Sequence, residues 1–174
     1  YFIVSGKNEF EFYKQHYKEA FKNEEALSKI ISKSLEIKKA YIERDEFDQN
    51  IRQVFNYGHS FGHAIESLTQ YRVPHGIAVS FGMDIANFIS VKKGYLPGKI
   101  RNEIREITKD IWQNHEIDDF DVTSFKKALS KDKKNVGSKL GLILTKGYGK
   151  VFKEVVDASD EFEHWLREYF ENEV

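Results

Sequence analysis

Three histidines stand in a pattern suited to binding a metal ion. His59 and His63 are four residues apart, so on a helix both side chains project from the same face. Neutral imidazole nitrogen is a common ligand for zinc. His75 stands at the predicted start of the next helix, where the positive end of the helix dipole disfavours imidazolium and keeps the ring able to ligate. The alternative is a set of hydrogen-bonded core histidines.

Two further polar residues, Arg52 and Asn56, precede the histidines at helical spacing. If residues 51–69 form one helix, Arg52, Asn56, His59 and His63 share one face of it. The planar guanidinium of Arg52 suits phosphate or carboxylate, and the amide of Asn56 can donate to and accept from a hydroxyl. Combined with a metal ion, this face predicts a polyhydroxylated, anionic substrate.

Lysines offer two other candidate anion sites. Lys38 lies on the apolar stripe of the preceding predicted helix, where a lysine either extends its amine to solvent or is held at a partly buried site to bind an anion. The cluster Lys131-Asp132-Lys133-Lys134 is either a solvated charge run or a second cationic site.

Apolar periodicity predicts a mainly α, multi-helix domain with a small β-hairpin near the C-terminus. Helices are predicted from the Asn23 N-cap to about residue 42, over 51–69 and 76–93, near 100–111, from Thr123, and after the Ser159 N-cap. The third is apolar on nearly every side, which predicts a central position. Alternating leucines at 140–144, followed by Gly147-Tyr148-Gly149, predict the hairpin. Gly58 and Gly62 lower helix stability, which predicts a close approach by a partner or ligand at these positions.

Composition narrows the possible functions. The chain has 174 residues, 27 Lys and Arg against 28 Asp and Glu, and no cysteine. Because Lys and Arg are not in excess, the composition gives no electrostatic reason to expect nucleic-acid binding. Without cysteine there is no disulfide, thiolate nucleophile or iron–sulfur cluster. The most apolar stretch, 76–91, is too short and too polar to span a bilayer, so we expect no membrane partner. Together these features favour a cytoplasmic protein.

A longer motif carries a family resemblance. The segment from Arg52 through Asn56, Gly58, His59, Gly62 and His63 to Glu66, followed by His75-Gly76-Ile77-Ala78-Val79 and Gly82-Met83, resembles the 3-dehydroquinate synthases and related sugar-phosphate cyclases. Two further features agree with the pattern of this family: the spacing from Lys38 to Arg52, and the run Asp132-Lys133-Lys134 before the hairpin. The resemblance covers nearly the whole chain, but only the helical C-terminal half of such an enzyme.

The resemblance implies roles for individual residues. His59 and His75 would be ligands of zinc or another divalent metal, with a third, glutamate ligand just before Tyr1. The substrate-binding residues would be Lys38, Arg52, Asn56, His63, Lys133 and Lys134, of which Lys38, Arg52, Asn56 and His63 are also the candidate catalytic residues. NAD would bind mainly to an upstream domain. Residues 1–174 are therefore expected to be a single helical metal- and substrate-binding domain and a fragment lacking that NAD domain. A homodimer is the oligomeric state that the resemblance suggests.

The implied reaction is a step of the shikimate pathway to aromatic amino acids. A carbon–oxygen lyase converts 3-deoxy-arabino-heptulosonate 7-phosphate to 3-dehydroquinate with elimination of phosphate and transient oxidation by NAD. The isolated fragment is expected to be inactive. One departure bears on the substrate: Ile77 stands where the family usually has glutamate. The alternatives are a cyclase for another sugar phosphate, a metal-dependent polyol dehydrogenase, and a non-catalytic helical module.

Overall fold

The structure, a computed structural model, describes residues 1–115, 121–130 and 139–174. The chain divides into two compact units, residues 1–55 with 147–151 (unit 1) and residues 56–146 with 152–174 (unit 2). Helices dominate, and two antiparallel strands form a hairpin near the C-terminus. The predicted fold class is confirmed.

The α-helices of unit 1 are α1 (Phe2–Ser5), α2 (Lys7–Ala20) and α3 (Glu24–Ile42). The ring of Phe2 stacks on that of Tyr13 with centroids 4.9 Å apart, and α2 packs against α3. Asn23 caps α3 as predicted, since its side-chain oxygen accepts the backbone N–H of Glu25 at 2.8 Å.

The predicted apolar stripe of α3 does not face the core. Leu27, Ile31 and Leu35 are exposed, whereas the buried residues of the helix are Ala26 and Ile37. The buried side of α3 is therefore not the apolar stripe predicted from the sequence, although α2 packs against this helix. Periodicity identifies an amphipathic helix, but which face is covered depends on the neighbour.

The predicted helix over 51–69 is two elements. A 3₁₀ helix, Ile51–Asn56, is followed by α4 (His59–Leu68). Between them Gly58 has φ 79°, a left-handed conformation that glycine adopts without steric cost and that ends one helix before the next begins. The single-helix prediction is therefore wrong.

Unit 2 surrounds a central helix, as predicted. Helix α5 (His75–Lys92) contacts α4, α6 (Gly98–Trp112), α8 (Asp160–Asn172) and β1 (Lys139–Thr145), and α4 also packs on α7 (Val122–Ser130). The strand β2 (Val151–Asp157) pairs with β1, and Ser159 caps α8 by accepting the N–H of Phe162 at 3.3 Å. Across the described ranges, no helix combines the length and apolar character needed to cross a membrane.

Glycines allow α4 and α5 to approach at backbone distance. A Cβ atom on Gly82 of α5 would lie 2.7 Å from the backbone nitrogen of Gly62 and closer still to the carbonyl oxygen of Gly58. A Cβ on Gly62 would lie 3.0 Å from Cα of Val79. The expected close approach at Gly58 and Gly62 is confirmed, and the partner is α5.

A buried ionic cluster explains Asp84 in the middle of apolar α5. Asp84 is fully buried and accepts hydrogen bonds from the Arg105 guanidinium and, at 2.8 Å, from the Tyr169 hydroxyl. Arg101 lies 3.8 Å from the same carboxylate and 2.9 Å from Glu173. Burial raises the pKa of Asp84 above its ordinary value even with two arginines beside it. The cluster ties α5 to α6 and α8.

We expect Gly82→Ala to destabilise unit 2 by about 3 kcal/mol, because the added methyl group meets backbone atoms that cannot move independently. Gly76→Ala, also in α5, is the matched control, since a Cβ there has no heavy atom within 4 Å. Urea unfolding followed by circular dichroism measures both. Equal stability of the two variants would show that the glycine contact is not required.

Candidate functional site

Three imidazole rings come together in unit 2. The ring centroids of His59 and His63 are 5.7 Å apart, those of His59 and His75 are 5.3 Å apart, and those of His63 and His75 are 6.0 Å apart. His59 is half-buried, and His63 and His75 are exposed. The core-histidine alternative does not describe these residues, because none of the three is buried.

The turn between α4 and α5 sets this geometry. Gln70 and Tyr71 both have left-handed backbone conformations, with φ of 51° and 60°. The N–H of Tyr71 donates to the carbonyl of Glu66 at 2.8 Å, and the buried Thr69 hydroxyl donates to that of Ile65 at 2.9 Å. The chain thus reverses within a few residues, and α5 begins at His75 beside the histidines of α4.

A carboxylate joins the imidazoles. Oε1 of Glu66 lies 3.1 Å from Nδ1 of His75, and ligand atoms of His63, Glu66 and His75 all lie within 4.8 Å of one another. The Glu66 side chain is only 11% exposed, against 57% for His75. Imidazole nitrogen and carboxylate oxygen are the donors that zinc binds, so the residues present fit a divalent metal.

The orientation of the His59 ring is also set by a hydrogen-bond partner. Nδ1 of His59 lies 3.3 Å from the carbonyl oxygen of Tyr57. A ring that donates from Nδ1 to this carbonyl keeps the Nε2 lone pair for a metal. The Tyr57 hydroxyl in turn donates to the side-chain oxygen of buried Asn87 on α5, which secures the residue next to Gly58.

The four-residue polar face predicted on a single helix is not formed. Asn56 is the half-buried last residue of the 3₁₀ helix, and the left-handed Gly58 separates it from His59 and His63 on α4. Arg52 lies four residues before Asn56 in the same 3₁₀ helix and belongs to unit 1. The helical spacing that grouped these residues therefore does not apply.

Two of the remaining predicted site residues, Lys38 and Arg52, belong to unit 1. Lys38 is exposed on α3. The Arg52 guanidinium is half-buried and donates from Nη1 to the carbonyl of Glu46 at 2.6 Å. Lys133 and Lys134 lie outside the described residues.

Asp45 organises the backbone that carries Arg52. Its buried carboxylate accepts a hydrogen bond from the backbone N–H of Arg52 at 2.9 Å. The N–H groups of Gln49 and Asn50 donate to the same carboxylate at 3.0 and 2.8 Å. These hydrogen bonds hold the pKa of Asp45 below its ordinary value, and the bond from the backbone of Arg52 contributes most.

The residue spacing alone does not indicate a role for Glu66. Its signal was present, since Glu66 follows His63 by three residues and shares its side of α4. The pairing with His75 depends on the turn between the helices, which spacing along one helix does not reveal.

We expect acid to weaken unit 1 through Asp45. A carboxyl whose pKa is depressed by folding stabilises the fold above its unfolded pKa of about 3.9, and this stabilisation is lost as pH falls through the lower folded value. Asp45→Asn should flatten the dependence of stability on pH below the unfolded value, measured by urea unfolding between about pH 6 and about pH 2.5. The exposed Asp157→Asn is the control. An unchanged acid slope in Asp45→Asn would contradict this role.

The chain matches a known family. Residues 1–135 match the family model described as 3-dehydroquinate synthase C-terminal. A 3-dehydroquinate synthase from Alkaliphilus metalliredigens (strain QYMF) is 36% identical over 147 residues, which are 84% of this chain and 41% of that protein. One from Thermoanaerobacter sp. (strain X514) is 37% identical over 139 residues, 79% of this chain and 38% of that protein. The chain thus spans about two fifths of these relatives.

Solved structures share the fold. ValA, a 2-epi-5-epi-valiolone synthase from Streptomyces hygroscopicus subsp. jinggangensis 5008 with NAD+ and Zn2+ bound, aligns with a TM-score of 0.73 at 16% identity, covering 98% of this chain and 49% of that one. A 2-deoxy-scyllo-inosose synthase aligns with a TM-score of 0.58 at 26% identity, covering 70% and 34%. The fold described above is therefore that of known sugar-phosphate cyclases.

Proposed function

Because this chain belongs to the 3-dehydroquinate synthase C-terminal family, we propose that it is the metal- and substrate-binding part of an NAD- and metal-dependent sugar-phosphate cyclase. The proposed reaction converts 3-deoxy-arabino-heptulosonate 7-phosphate to 3-dehydroquinate with elimination of inorganic phosphate. The observation that carries the proposal is the convergence of His59, His63 and His75, with ring centroids 5.3 to 6.0 Å apart.

His59 and His75 are the proposed metal ligands. Solved relatives are described with NAD+ and either Zn2+ or Co2+. The resemblance assigns the third ligand, a glutamate, and most of the NAD site to the part of the relatives that precedes the region matched by this chain. When bound, the divalent ion supplies a Lewis acid for the reacting hydroxyl and NAD accepts and returns a hydride.

His63 is the proposed proton carrier of the site. Its ring lies beside both proposed ligands and is exposed, so substrate can reach it. Imidazole is a common general acid and base in enzymes that work near neutral pH. Here it would hold the proton that leaves a substrate hydroxyl or returns to it.

Substrate anions and hydroxyls are assigned to the remaining residues of the motif. We propose that Asn56 hydrogen-bonds a substrate hydroxyl, since its amide offers both a donor and an acceptor. By resemblance, Lys38, Arg52, Lys133 and Lys134 bind the carboxylate and phosphate groups. Cationic groups around a phosphate also stabilise the charge that develops as it leaves.

Ile77 favours a second candidate substrate. This half-buried residue follows His75 by two positions in α5 and offers no carboxylate where the resemblance predicts one. A cyclase acting on another sugar phosphate is therefore the alternative. The curated relatives named 3-dehydroquinate synthase favour the first substrate.

Turnover by the complete protein that contains this chain tests the proposed function. With 3-deoxy-arabino-heptulosonate 7-phosphate we expect equimolar release of phosphate and 3-dehydroquinate, with no net NADH, because the hydride is returned to the substrate. Phosphate release from another sugar phosphate alone would support the alternative. Accumulation of NADH without phosphate would identify a polyol dehydrogenase and contradict both cyclase assignments.

His75→Ala in the same protein should lose bound metal and activity together. Truncation removes an imidazole ligand and leaves the overall fold in place, because the ring is exposed at the start of α5. Metal content after gel filtration, measured by plasma emission spectrometry, is the readout. His164→Ala, which removes an exposed histidine of α8, is the control. Retention of a full equivalent of metal in His75→Ala would refute the ligand role.

A further inference from the structure

The buried carboxylate of Glu66 is the one feature of the histidine cluster without a part in the proposed chemistry. It stands on α4 one turn after His63 and makes a 3.1 Å contact with Nδ1 of His75. Substrate reaching the exposed histidines would not reach this carboxylate directly, because its side chain is only 11% exposed. Its role is therefore exerted through His75.

The contact determines which nitrogen of His75 carries a proton. An ionised carboxylate can only accept hydrogen bonds, so the ring nitrogen facing Glu66 must be the protonated one. In a neutral imidazole the other nitrogen, Nε2, then carries the lone pair. Only that tautomer presents Nε2 to a metal ion.

Glu66 sits in a more buried and more extensively hydrogen-bonded part of the structure than its partner. The neighbouring Ile65 is fully buried, and the carbonyl of Glu66 accepts the N–H of Tyr71 at 2.8 Å and the hydroxyl of buried Thr69 at 3.3 Å. His75 is instead the first residue of α5, and its ring is 57% exposed. A fixed acceptor on α4 thus restrains an otherwise exposed ring.

We propose that Glu66 is a positioning residue, which holds His75 as the Nδ1–H tautomer with Nε2 directed toward a divalent metal shared with His59. The proposal rests on the metal site of the proposed function. Carboxylates that orient a histidine ligand in this way typically contribute about 10- to 100-fold to metal affinity.

Two variants of the complete protein test the proposal. Glu66→Gln retains an acceptor oxygen at nearly the same place but loses the charge, whereas Glu66→Ala removes the acceptor. Zinc affinity, measured by competition with a chromogenic chelator, should fall by about 10- to 100-fold in Glu66→Ala and by less in Glu66→Gln. Glu171→Gln, which neutralises an exposed carboxylate of α8, should bind zinc as the wild type does.

The tautomer gives a readout that a purely structural role would not change. In the metal-free protein labelled with ¹⁵N-histidine, His75 should show a protonated Nδ1 in the wild type and a mixture of tautomers in Glu66→Ala. Circular dichroism checks that each variant is folded, and the near-isosteric Glu66→Gln decides the outcome if Glu66→Ala does not fold.

Three outcomes would overturn the positioning role. Wild-type zinc affinity in a folded Glu66→Ala is one, and an Nε2–H tautomer of His75 in the wild type is another. A loss of affinity of more than roughly 1,000-fold in both variants, beyond the range for an orienting carboxylate, would make Glu66 itself a ligand. A wrong proposed function would give a distinguishable result. The protein would then retain the Nδ1–H tautomer of His75 and its dependence on Glu66 but would not cyclise a sugar phosphate.

Discussion

The backbone contact between α4 and α5 is the constraint on which the histidine cluster depends. Gly82 leaves room for the carbonyl of Gly58 and the N–H of Gly62, so the two helices lie closer than side chains would permit. Since His59 and His63 are on one helix and His75 begins the other, the separation of the helices sets the separation of the rings. The stability that glycine costs within a helix is offset by this packing.

An ionic cluster around Asp84 holds the part of α5 that follows the glycine contact. Asp84 is fully buried in a helix that is otherwise apolar on most sides, and its partners Arg105 and Tyr169 come from two different helices. Removing a carboxylate from water is costly unless partners replace the lost hydration, and α6 and α8 supply these partners here. This cluster ties the middle of α5 to α6 and α8.

The exposed imidazoles and the buried carboxylate of the site can have different roles. The rings of His63 and His75 are exposed, while the carboxylate of Glu66 is nearly inaccessible. Exposed groups can meet substrate, and a buried acceptor can hold one of them without competing water. Under the proposed function this arrangement gives the exposed imidazole of His75 a defined tautomer, which matters because a ring free to rotate would offer a metal either nitrogen or neither.

Local signals in the sequence are enough to predict the Asn23 cap and the central apolar helix, and the family motif contains the three histidines. The sequence by itself did not determine the buried face of α3, the break at Gly58, or the pairing of Glu66 with His75. Caps and periodicity act over a few residues, whereas these features depend on which surfaces meet after the chain reverses direction. Only the tertiary structure decides such contacts.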